Sequence, residues 1–164
     1  MNTAYLLIGG NLGDRFGYLQ KARDLVRESC GNIVLSSAIY ETAAWGITEQ
    51  PPFLNQALAV ETTLSPEKLM QALLKIEETM GRQRIQKMGP RIIDLDILQI
   101  DELVMKTDLL TLPHPYLAQR RFALLPLSEI APLLIHPLSG KTIQWLLAEC
   151  ADTLDVQKKT DTAN

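Results

Sequence analysis

The sequence predicts an α+β domain of the ferredoxin-like type. This βαββαβ sandwich has an antiparallel sheet with helices on one face, and additional helices follow it at the C-terminal end. Apolar, β-branched runs and amphipathic segments alternate in the order strand, helix, strand, strand, helix, strand. The 164 residues suffice for one domain with a hydrophobic core, and no linker or repeat divides them. We therefore expect residues 1–151 to form a single domain and residues 152–164 to form a polar, frayed tail.

The first three predicted elements are a strand, a helix and a strand. The apolar residues 4–8 end at two glycines, which is typical of a buried strand. Residues 16–26 repeat apolar side chains at helical spacing, and Gly31 and Asn32 favour a helix end just beyond them. Residues 33–42 are rich in β-branched and aromatic side chains and predict one continuous strand.

The next elements are a strand over residues 53–62, a helix and a further strand. Ser65, Pro66 and Glu67 predict the helix start, because serine caps the first N–H groups, proline fits the first turn and an acid favours the positive end of the helix dipole. This helix is expected to end at Gly81. A basic loop then leads to a strand over residues 91–100, and helices are predicted over residues 122–130 and 142–149.

Composition and charge argue against several classes of protein. The net charge of −3 and the pI near 5.4 argue against a surface that binds nucleic acid. Cys30 and Cys150 have no Cys-x-x-Cys spacing, which favours free thiols and a cytoplasmic location. No signal peptide is evident, and no apolar run approaches the ~20 residues of a membrane span. We expect no nucleic-acid or membrane partner and a monomer, with a weak homodimer as the alternative.

Asp94 and Asp96 lie two positions apart inside the apolar residues 91–98. In a strand they would project from the same face, and burial of two unpaired carboxylates is costly. Arg91 would face the other way, so a divalent cation is the simplest partner. Oxygen ligands without nearby Cys or His favour Mg²⁺, which usually completes its shell with water and phosphate oxygens. The pair therefore indicates a nucleoside triphosphate site. The alternative is two solvated carboxylates on an exposed sheet face.

A basic loop precedes this strand and is framed by Gly81 at one end and by Gly89 and Pro90 at the other. Its cations are Arg82, Arg84, Lys87 and Arg91. Guanidinium groups suit phosphate oxygens, and the flanking glycines suit the hinges of a mobile lid. The loop therefore predicts phosphate handling, above all by Arg82 and Arg91. The alternative is an ordinary solvated run of charges.

Two further groups of residues suggest binding pockets. His114 lies between two prolines that fix its backbone, which suits a nucleotide contact; the alternative is a structural histidine. Phe53 and Asn55 share a face of the third predicted strand, and Phe122 begins a later helix. An aromatic ring beside a buried amide suits a planar heterocycle with a hydrogen-bonding edge, whereas the default for each aromatic residue is the hydrophobic core.

Residues 87–98, KMGPRIIDLDIL, resemble the signature of the 6-hydroxymethyl-7,8-dihydropterin pyrophosphokinase family of folate biosynthesis. Shorter matches extend over nearly the whole chain, at residues 8–14, 40–42, 53–55, 76–77, 81–84 and 113–122. The long signature is highly specific, whereas each short match would be weak alone. The resemblance implies an enzyme that transfers the terminal pyrophosphate of ATP to the hydroxymethyl group of the pterin and releases AMP.

The resemblance also implies a role for each motif residue. Asp94 and Asp96 would bind two Mg²⁺ ions, Arg82 and Arg91 would stabilise the transferring group, and Asp96 is a candidate for a general base. The residues implied at the ATP site are Glu77, Arg84, Ile97, Leu110, His114 and Arg120. The residues implied at the pterin site are Thr42, Trp45, Phe53, Asn55 and Phe122, with the ring held between the two phenylalanines.

Some positions depart from the pattern of the family. Met88 stands where some members carry a tryptophan, Ala43 and Ala44 replace a proline-rich pair, and Tyr116 stands where many members have arginine. Two functions of other classes are alternatives: an RNA-binding module on the same sheet and a regulatory domain that binds a small molecule. An RNA-binding module would need aromatic side chains in its strands and a basic face. Paired metal ligands are required by neither the RNA-binding module nor the regulatory domain.

Overall fold

The computed structural model describes residues 1–43, 49–82 and 89–160. The helices are α1 (Arg15–Ser29), α2 (Pro66–Thr79), α3 (Arg121–Ile130) and α4 (Ile143–Ala148), and a 3-10 helix spans Leu117–Gln119. The strands are β1 (Asn2–Gly10), β2 (Asn32–Ser36), β3 (Ile39–Thr42), β4 (Phe53–Thr62), β5 (Asp94–Ile100), β6 (Met105–Lys106), β7 (Thr111–Leu112) and β8 (Val156–Thr160). Within these ranges no helix combines the length and the hydrophobicity that a membrane crossing requires.

Six of these strands form one antiparallel sheet in the order β5-β1-β4-β3-β8, and β2 pairs with β4 beside β3. The central pair is β1 and β4, which runs from Asn2 opposite Thr62 to Gly10 opposite Leu54. With β2 and β3 taken together, this is the strand order of a βαββαβ sandwich, so the predicted fold class is confirmed. β6 and β7 form a separate hairpin that the sequence did not predict.

Helices cover both faces of the sheet, whereas the sequence predicted helices on one face. α1 and α2 pack over one face, on a core that includes Leu6, Ile8 and Leu95. α3 and α4 pack over the other face, on a core that includes Leu7 and Leu98. Because side chains alternate along a strand, neighbouring residues of β1 and β5 enter different cores. The C-terminal helices are therefore the third layer of the fold.

The helix starts follow local sequence signals. The Asp14 carboxylate accepts a hydrogen bond of 3.1 Å from the N–H three residues on, at the start of α1. The Ser65 hydroxyl accepts the corresponding bond of 3.2 Å at the start of α2, and Pro66 is the first residue of that helix. The predicted cap at Ser65 is confirmed, because this short side chain satisfies an N–H group that has no partner inside the helix.

The continuous strand predicted over residues 33–42 is wrong. It is two strands, β2 and β3, separated by Ser37 and Ala38. The Ser37 hydroxyl donates to the Ala38 carbonyl, and the Ala38 N–H donates to the Glu129 carboxylate of α3 at 2.9 Å. Glu129 also accepts a hydrogen bond from the Tyr40 hydroxyl. The Glu129 side chain of α3 thus accepts the bond that a neighbouring strand would otherwise accept from the Ala38 N–H, and the strand is interrupted at this point.

The strand predicted over residues 91–100 begins only at Asp94. The Arg91 N–H donates to the Asn11 side-chain oxygen, and the Asn11 N–H donates to the Arg91 carbonyl, both at 2.9 Å. These bonds hold Arg91 against the residue that follows β1. The backbone of Arg91 is therefore tied to a turn and does not enter the sheet.

The predicted frayed tail is wrong for residues 156–160, which form β8. This strand pairs with β3, from Thr42 opposite Val156 to Ile39 opposite Thr160. The polar composition suggested a tail, but an edge strand is held by backbone hydrogen bonds and tolerates charged side chains. An ion pair of 3.4 Å between Lys159 and Glu41 joins the same two strands.

Both cysteines are free thiols, as the sequence predicted. Cys30, at the end of α1, is 5% exposed, and burial raises the pKa of its thiol to about 11. Cys150 follows α4 and is half-buried. The two thiols therefore differ strongly in access to solvent.

Candidate active site

Asp94 and Asp96 are the first and third residues of β5. Asp94 is opposite Gly9 and Asp96 is opposite Leu7 in the neighbouring strand β1. Between them Leu95, which is 1% exposed, enters the core under α1 and α2. The two carboxylates therefore project together from the other face, as the alternation of a strand predicts.

Two pockets meet at this pair, because both aspartates line both pockets. The first, here called the aromatic pocket, is also lined by Thr42, Phe53, Asn55, Arg91, Arg120 and Phe122. The second, here called the hairpin pocket, is also lined by Glu77, Ile97, Leu110 and His114. Arg82 lines neither pocket but contacts Asp94. Trp45, Arg84 and Met88 lie outside the described residues.

Both oxygens of Asp94 accept hydrogen bonds from arginines. Arg82 Nη1 donates to Asp94 Oδ1 at 2.8 Å, and Arg91 Nε donates to Asp94 Oδ2 at 3.2 Å. Arg82 Nη1 also donates to Glu77 Oε1 at 2.9 Å, so one guanidinium joins two carboxylates. The expectation that Arg91 faces away from the aspartates is wrong, because this residue precedes the strand and does not follow its alternation.

Asp96 lies in a strongly unfavourable place for a negative charge. Burial raises the pKa of Asp96 to about 8, and the charges of Asp94 and Glu77 act in the same direction. Arg120 and Arg91 oppose this shift without cancelling it. The carboxyl group therefore holds a proton near neutral pH unless another cation comes close.

The donor set at this point fits a hard divalent cation. Two carboxylates on one face of a strand provide the oxygen ligands that Mg²⁺ prefers, and the charges of Asp94 and Glu77, which add to the effect of burial on the pKa of Asp96, favour a cation there. Among the described residues there is no group of three or more His, Cys, Asp or Glu side chains suited to a metal. A cation here would therefore take the rest of its ligands from water or from substrate oxygens.

Each phenylalanine of the aromatic pocket has a guanidinium over its ring. Arg91 Cζ lies 4.6 Å from the centre of the Phe53 ring. Arg120 Cζ lies 5.6 Å from the centre of the Phe122 ring and 5.0 Å from that of Tyr116. Arginine stacks on aromatic faces through its planar cation. The departure from the family pattern at Tyr116 thus provides a stacking surface for Arg120.

The hairpin pocket combines apolar walls with a histidine. Burial, together with the positive charge of Arg120, lowers the pKa of His114 to about 4, so the ring is neutral at physiological pH. Its Nδ1 accepts a hydrogen bond of 3.2 Å from the Tyr116 N–H, which places the remaining proton on Nε2. Glu77 Oε2 accepts a bond of 2.7 Å from the Leu95 N–H. Glu77 thus anchors both the start of β5 and Arg82.

Two residues that position the site were not assigned a role from the sequence. Asn11 is 2% exposed, and its Nδ2 donates to Gln50 Oε1 and to the Pro51 carbonyl, both at 2.9 Å. Through these bonds and those to Arg91, it holds two loops that border the aromatic pocket. Gly9 leaves the space that Asn55 occupies, because a Cβ atom there would lie 2.2 Å from Asn55 Oδ1. A polar residue in a glycine-rich turn carries no local signal of such distant partners.

Comparisons with known proteins support one family. The family model described as 7,8-dihydro-6-hydroxymethylpterin-pyrophosphokinase (HPPK) matches residues 5–132. A 2-amino-4-hydroxy-6-hydroxymethyldihydropteridine pyrophosphokinase of Aquifex aeolicus is 42% identical over 144 residues, which cover 88% of this chain and 89% of that protein. A protein of the same name from Methylorubrum extorquens is 40% identical over 150 residues, which cover 91% and 94%.

Solved structures agree with the fold. A crystal structure of wild-type Plasmodium falciparum HPPK-DHPS with pteroate matches with a TM-score of 0.71 at 19% identity, over 90% of this chain and 42% of that chain. At this identity the match is evidence of the fold alone. The family model and the two bacterial relatives extend over most of the sequence, including both pockets. The chain therefore belongs to the 7,8-dihydro-6-hydroxymethylpterin-pyrophosphokinase family.

Proposed function

We propose that Asp94 and Asp96 form the reaction centre, with ATP in the hairpin pocket and the pterin in the aromatic pocket. The chain is an ATP-dependent pyrophosphokinase: it transfers pyrophosphate from ATP to 6-hydroxymethyl-7,8-dihydropterin, which gives the pterin diphosphate and AMP in folate biosynthesis. The observation that carries the site assignment is that the same two carboxylates line both pockets. A group that moves from one pocket to the other has to pass this pair.

The aromatic pocket suits a pterin because it combines flat surfaces with a polar edge. A planar guanidinium already lies over Phe53 and another over Phe122, so a flat ring has surfaces on which to stack. The amide of Asn55 offers a donor and an acceptor, which matches the edge of the heterocycle. We assign further contacts to the backbone near Thr42 and, from the family resemblance, near Trp45.

The hairpin pocket suits a nucleotide. Ile97 and Leu110 provide apolar walls for a base, and the neutral ring of His114 can donate a hydrogen bond from Nε2. Arg120, at the border of the other pocket, and Arg84, from the family resemblance, are assigned to the phosphates. Glu77 is assigned a supporting role, because its carboxylate is already bonded to Leu95 and Arg82.

Asp94 and Asp96 would hold Mg²⁺, and we propose two ions whose remaining ligands are water and the phosphate oxygens of ATP. When bound, the metal would neutralise phosphate charge and orient the group to be transferred. A cation here would also remove the electrostatic cost that raises the pKa of Asp96.

The arginines around Asp94 provide the remaining positive charge. Arg82 and Arg91 bind the Asp94 carboxylate in this structure. When that carboxylate serves as a metal ligand, both guanidiniums become available to oxygens of the pyrophosphoryl group, where charge develops in the transition state. The pterin hydroxyl attacks the β-phosphorus, the bond to the α-phosphate oxygen breaks, and AMP leaves. We assign Asp96 as the acceptor of the hydroxyl proton, because it lines both pockets and no arginine hydrogen bond to it is among the described contacts.

We propose that the protein is active as a monomer in the cytoplasm. The free thiols Cys30 and Cys150 suit a reducing compartment. Size-exclusion chromatography with light scattering distinguishes a monomer from a weak homodimer. A concentration-dependent specific activity would contradict a functional monomer.

The reaction is tested by incubating the protein with Mg²⁺, ATP and 6-hydroxymethyl-7,8-dihydropterin. The expected products are AMP and the pterin diphosphate, separated by anion-exchange chromatography. Removal of Mg²⁺ with EDTA should abolish turnover, and replenishment should restore it. Formation of ADP in place of AMP would contradict pyrophosphoryl transfer, and full activity in EDTA would contradict the metal site.

A further inference from the structure

Residues 152–156, here called the strap, connect two elements that contribute to the aromatic pocket. The strap follows α4, and its last residue, Val156, is the first residue of β8; it plays no part in the chemistry proposed above. One end of the strap bonds to the start of α3, and the other end bonds to β3. These two elements carry Phe122 and Thr42, which both line the pocket.

The first anchor is Asp152. Its Oδ2 accepts a hydrogen bond of 3.1 Å from the Arg121 N–H, and its Oδ1 accepts one of 3.0 Å from the Leu154 N–H. Arg121 is the first residue of α3, and the residue before it provides no capping side chain. A carboxylate at a helix start satisfies an N–H group that has no partner in the helix and interacts favourably with the dipole. Asp152 therefore fixes the turn that presents Arg120 and Phe122 to the pocket.

The second anchor is at Thr42. Its hydroxyl donates a hydrogen bond of 2.9 Å to the Asp155 carbonyl, and the next residue, Val156, pairs with Thr42 as β8 begins. The Thr42 side chain is thus bonded to the strap, and Thr42 is also a lining residue of the aromatic pocket. The strap therefore links Thr42 of β3 to the start of α3.

Ion pairs beside Thr42 reinforce the second anchor. Glu41 accepts a bond of 2.7 Å from Arg15 and pairs with Lys159 of β8 at 3.4 Å. The hydrogen bond from Arg15, followed by the contacts with Lys159, lowers the pKa of Glu41. Arg15 also donates to the Pro52 carbonyl at 3.1 Å, directly before Phe53. These contacts connect β8, at the edge of the sheet, with the residue that precedes Phe53 in the aromatic pocket.

We propose that the strap sets the spacing between Thr42 and Phe122, and that Asp152 is a positioning residue for the acceptor substrate. This inference rests on the proposed assignment of the aromatic pocket to the pterin. Loss of the Asp152 carboxylate frees the first turn of α3, so stacking on Phe122 weakens. No described residue of α3 lines the hairpin pocket, so the base of ATP keeps its contacts, and the effect on the phosphates through Arg120 should be smaller than the effect on the pterin.

The test compares Asp152→Ala and Asp152→Asn with Asp155→Ala as the matched control. Asp152→Ala should raise the KM for the pterin about 5-fold, equivalent to ~1 kcal/mol, and should leave the KM for ATP within about 2-fold of wild type. Asp152→Asn should restore most of the affinity, because its amide oxygen still accepts from the Arg121 N–H. Asp155→Ala should behave as wild type, because Asp155 contributes its carbonyl and its carboxylate contacts Gln157.

Four outcomes would overturn the proposal or the pocket assignment on which it rests. An unchanged KM for the pterin in folded Asp152→Ala protein would mean that the strap does not position the pocket. An equal rise in both KM values, or failure of Asp152→Asn to rescue, would indicate a general structural role. A rise in the KM for ATP alone would instead contradict the assignment of the pockets. Deletion of residues 152–164 should exceed the effect of Asp152→Ala, and if that protein does not fold, the point variants decide.

Discussion

Neighbouring residues of β5 serve the two faces of the sheet, and these faces contribute in opposite ways. Leu95 and Ile97 complete the apolar core under α1 and α2, where burial of hydrocarbon stabilises the fold. Asp94 and Asp96 project into the site on the other face, where burial raises the pKa of Asp96. Buried charge without a matching partner costs free energy. One face of β5 therefore stabilises the fold, whereas the carboxylates on its other face lower the stability of the fold.

The largest expected effect is that of Asp96→Asn, which should separate activity from stability. The kcat should fall at least about 100-fold, because the proposed metal ligand, a carboxylate that lines both pockets, is lost. In metal-free protein at pH 7 the Tm should rise by about 3–6 °C, because the raised pKa makes the charged Asp96 unfavourable in the fold at every pH above its unfolded value. Steady-state kinetics and thermal unfolding in EDTA measure both quantities. Near-normal turnover would contradict the role of Asp96 in the reaction, and a lower Tm would contradict the unfavourable burial of its charge.

Leu95→Ala is the counterpart on the other face and should have the converse effect. Removal of this buried side chain should lower the free energy of unfolding by about 2–4 kcal/mol, since the cavity cannot fully collapse. The KM for the pterin should stay near wild type at temperatures where the variant is folded, whereas the KM for ATP should rise about 2-fold, because Leu95 also lines the hairpin pocket. Urea unfolding and kinetics at low temperature test this. Unchanged stability together with an altered KM for the pterin would mean that the two faces are not separable.

Gly9→Ala should have a smaller effect, confined to one pocket. The added Cβ would lie 2.2 Å from Asn55 Oδ1 and 2.5 Å from the Leu54 carbonyl oxygen, so the amide of Asn55 and the adjoining backbone of β4 both have to move. We expect the KM for the pterin to rise about 10-fold, equivalent to ~1.4 kcal/mol, with the KM for ATP little changed. A double-mutant cycle with Asn55→Ala is the control. Fully additive effects would show that Gly9 does not act through Asn55.

A further expected effect, spread over a range of pH, is the pH dependence of stability that His114 contributes. Burial first, and the charge of Arg120 second, lower its pKa in the fold to about 4, below the unfolded value near 6.5. The unfolded chain binds the proton between these values, so stability rises with pH across this window and is lost as the pH falls through it. The slope from one such group is at most about 1.4 kcal/mol per pH unit.

An NMR titration of the His114 ring measures the pKa directly, and urea unfolding at pH 5 and pH 7 measures the slope. His114→Gln should flatten the dependence without removing it, because burial also lowers the pKa of His136. A His114 pKa at or above 6.5 in the folded protein would contradict the buried, neutral ring.

The sheet and first helices could be predicted because their signals are local. A continuous apolar run that ends at two glycines predicted β1, apolar side chains at alternate positions predicted β4, and the cap at Ser65 predicted α2. The break between β2 and β3 could not be predicted, because it depends on Glu129, which is distant in sequence. β8 could not be predicted either, because a polar edge strand has no burial pattern and its stability depends on the edge that β3 offers.

The part of the site that depends on residue spacing within one strand could be predicted from the sequence. The shared face of Asp94 and Asp96 follows from a separation of two residues in a strand. The pairing of Arg91 with Asp94 does not follow from spacing, because it depends on where the strand begins, and Asn11 determines that point. The aromatic pocket requires the third layer of the fold, since α3 and the residue before it provide Phe122 and Arg120, and the hairpin pocket requires the β6–β7 hairpin, which the sequence did not predict.

The contrast between the two cysteines makes the unmodified sequence suitable for site-selective labelling. A thiol with a pKa near 11 and little exposure reacts slowly with maleimides at neutral pH, so Cys30 is protected. Cys150 is more accessible and lies two residues before Asp152. A fluorophore attached there would report on the strap during turnover, with no need to remove a competing cysteine first.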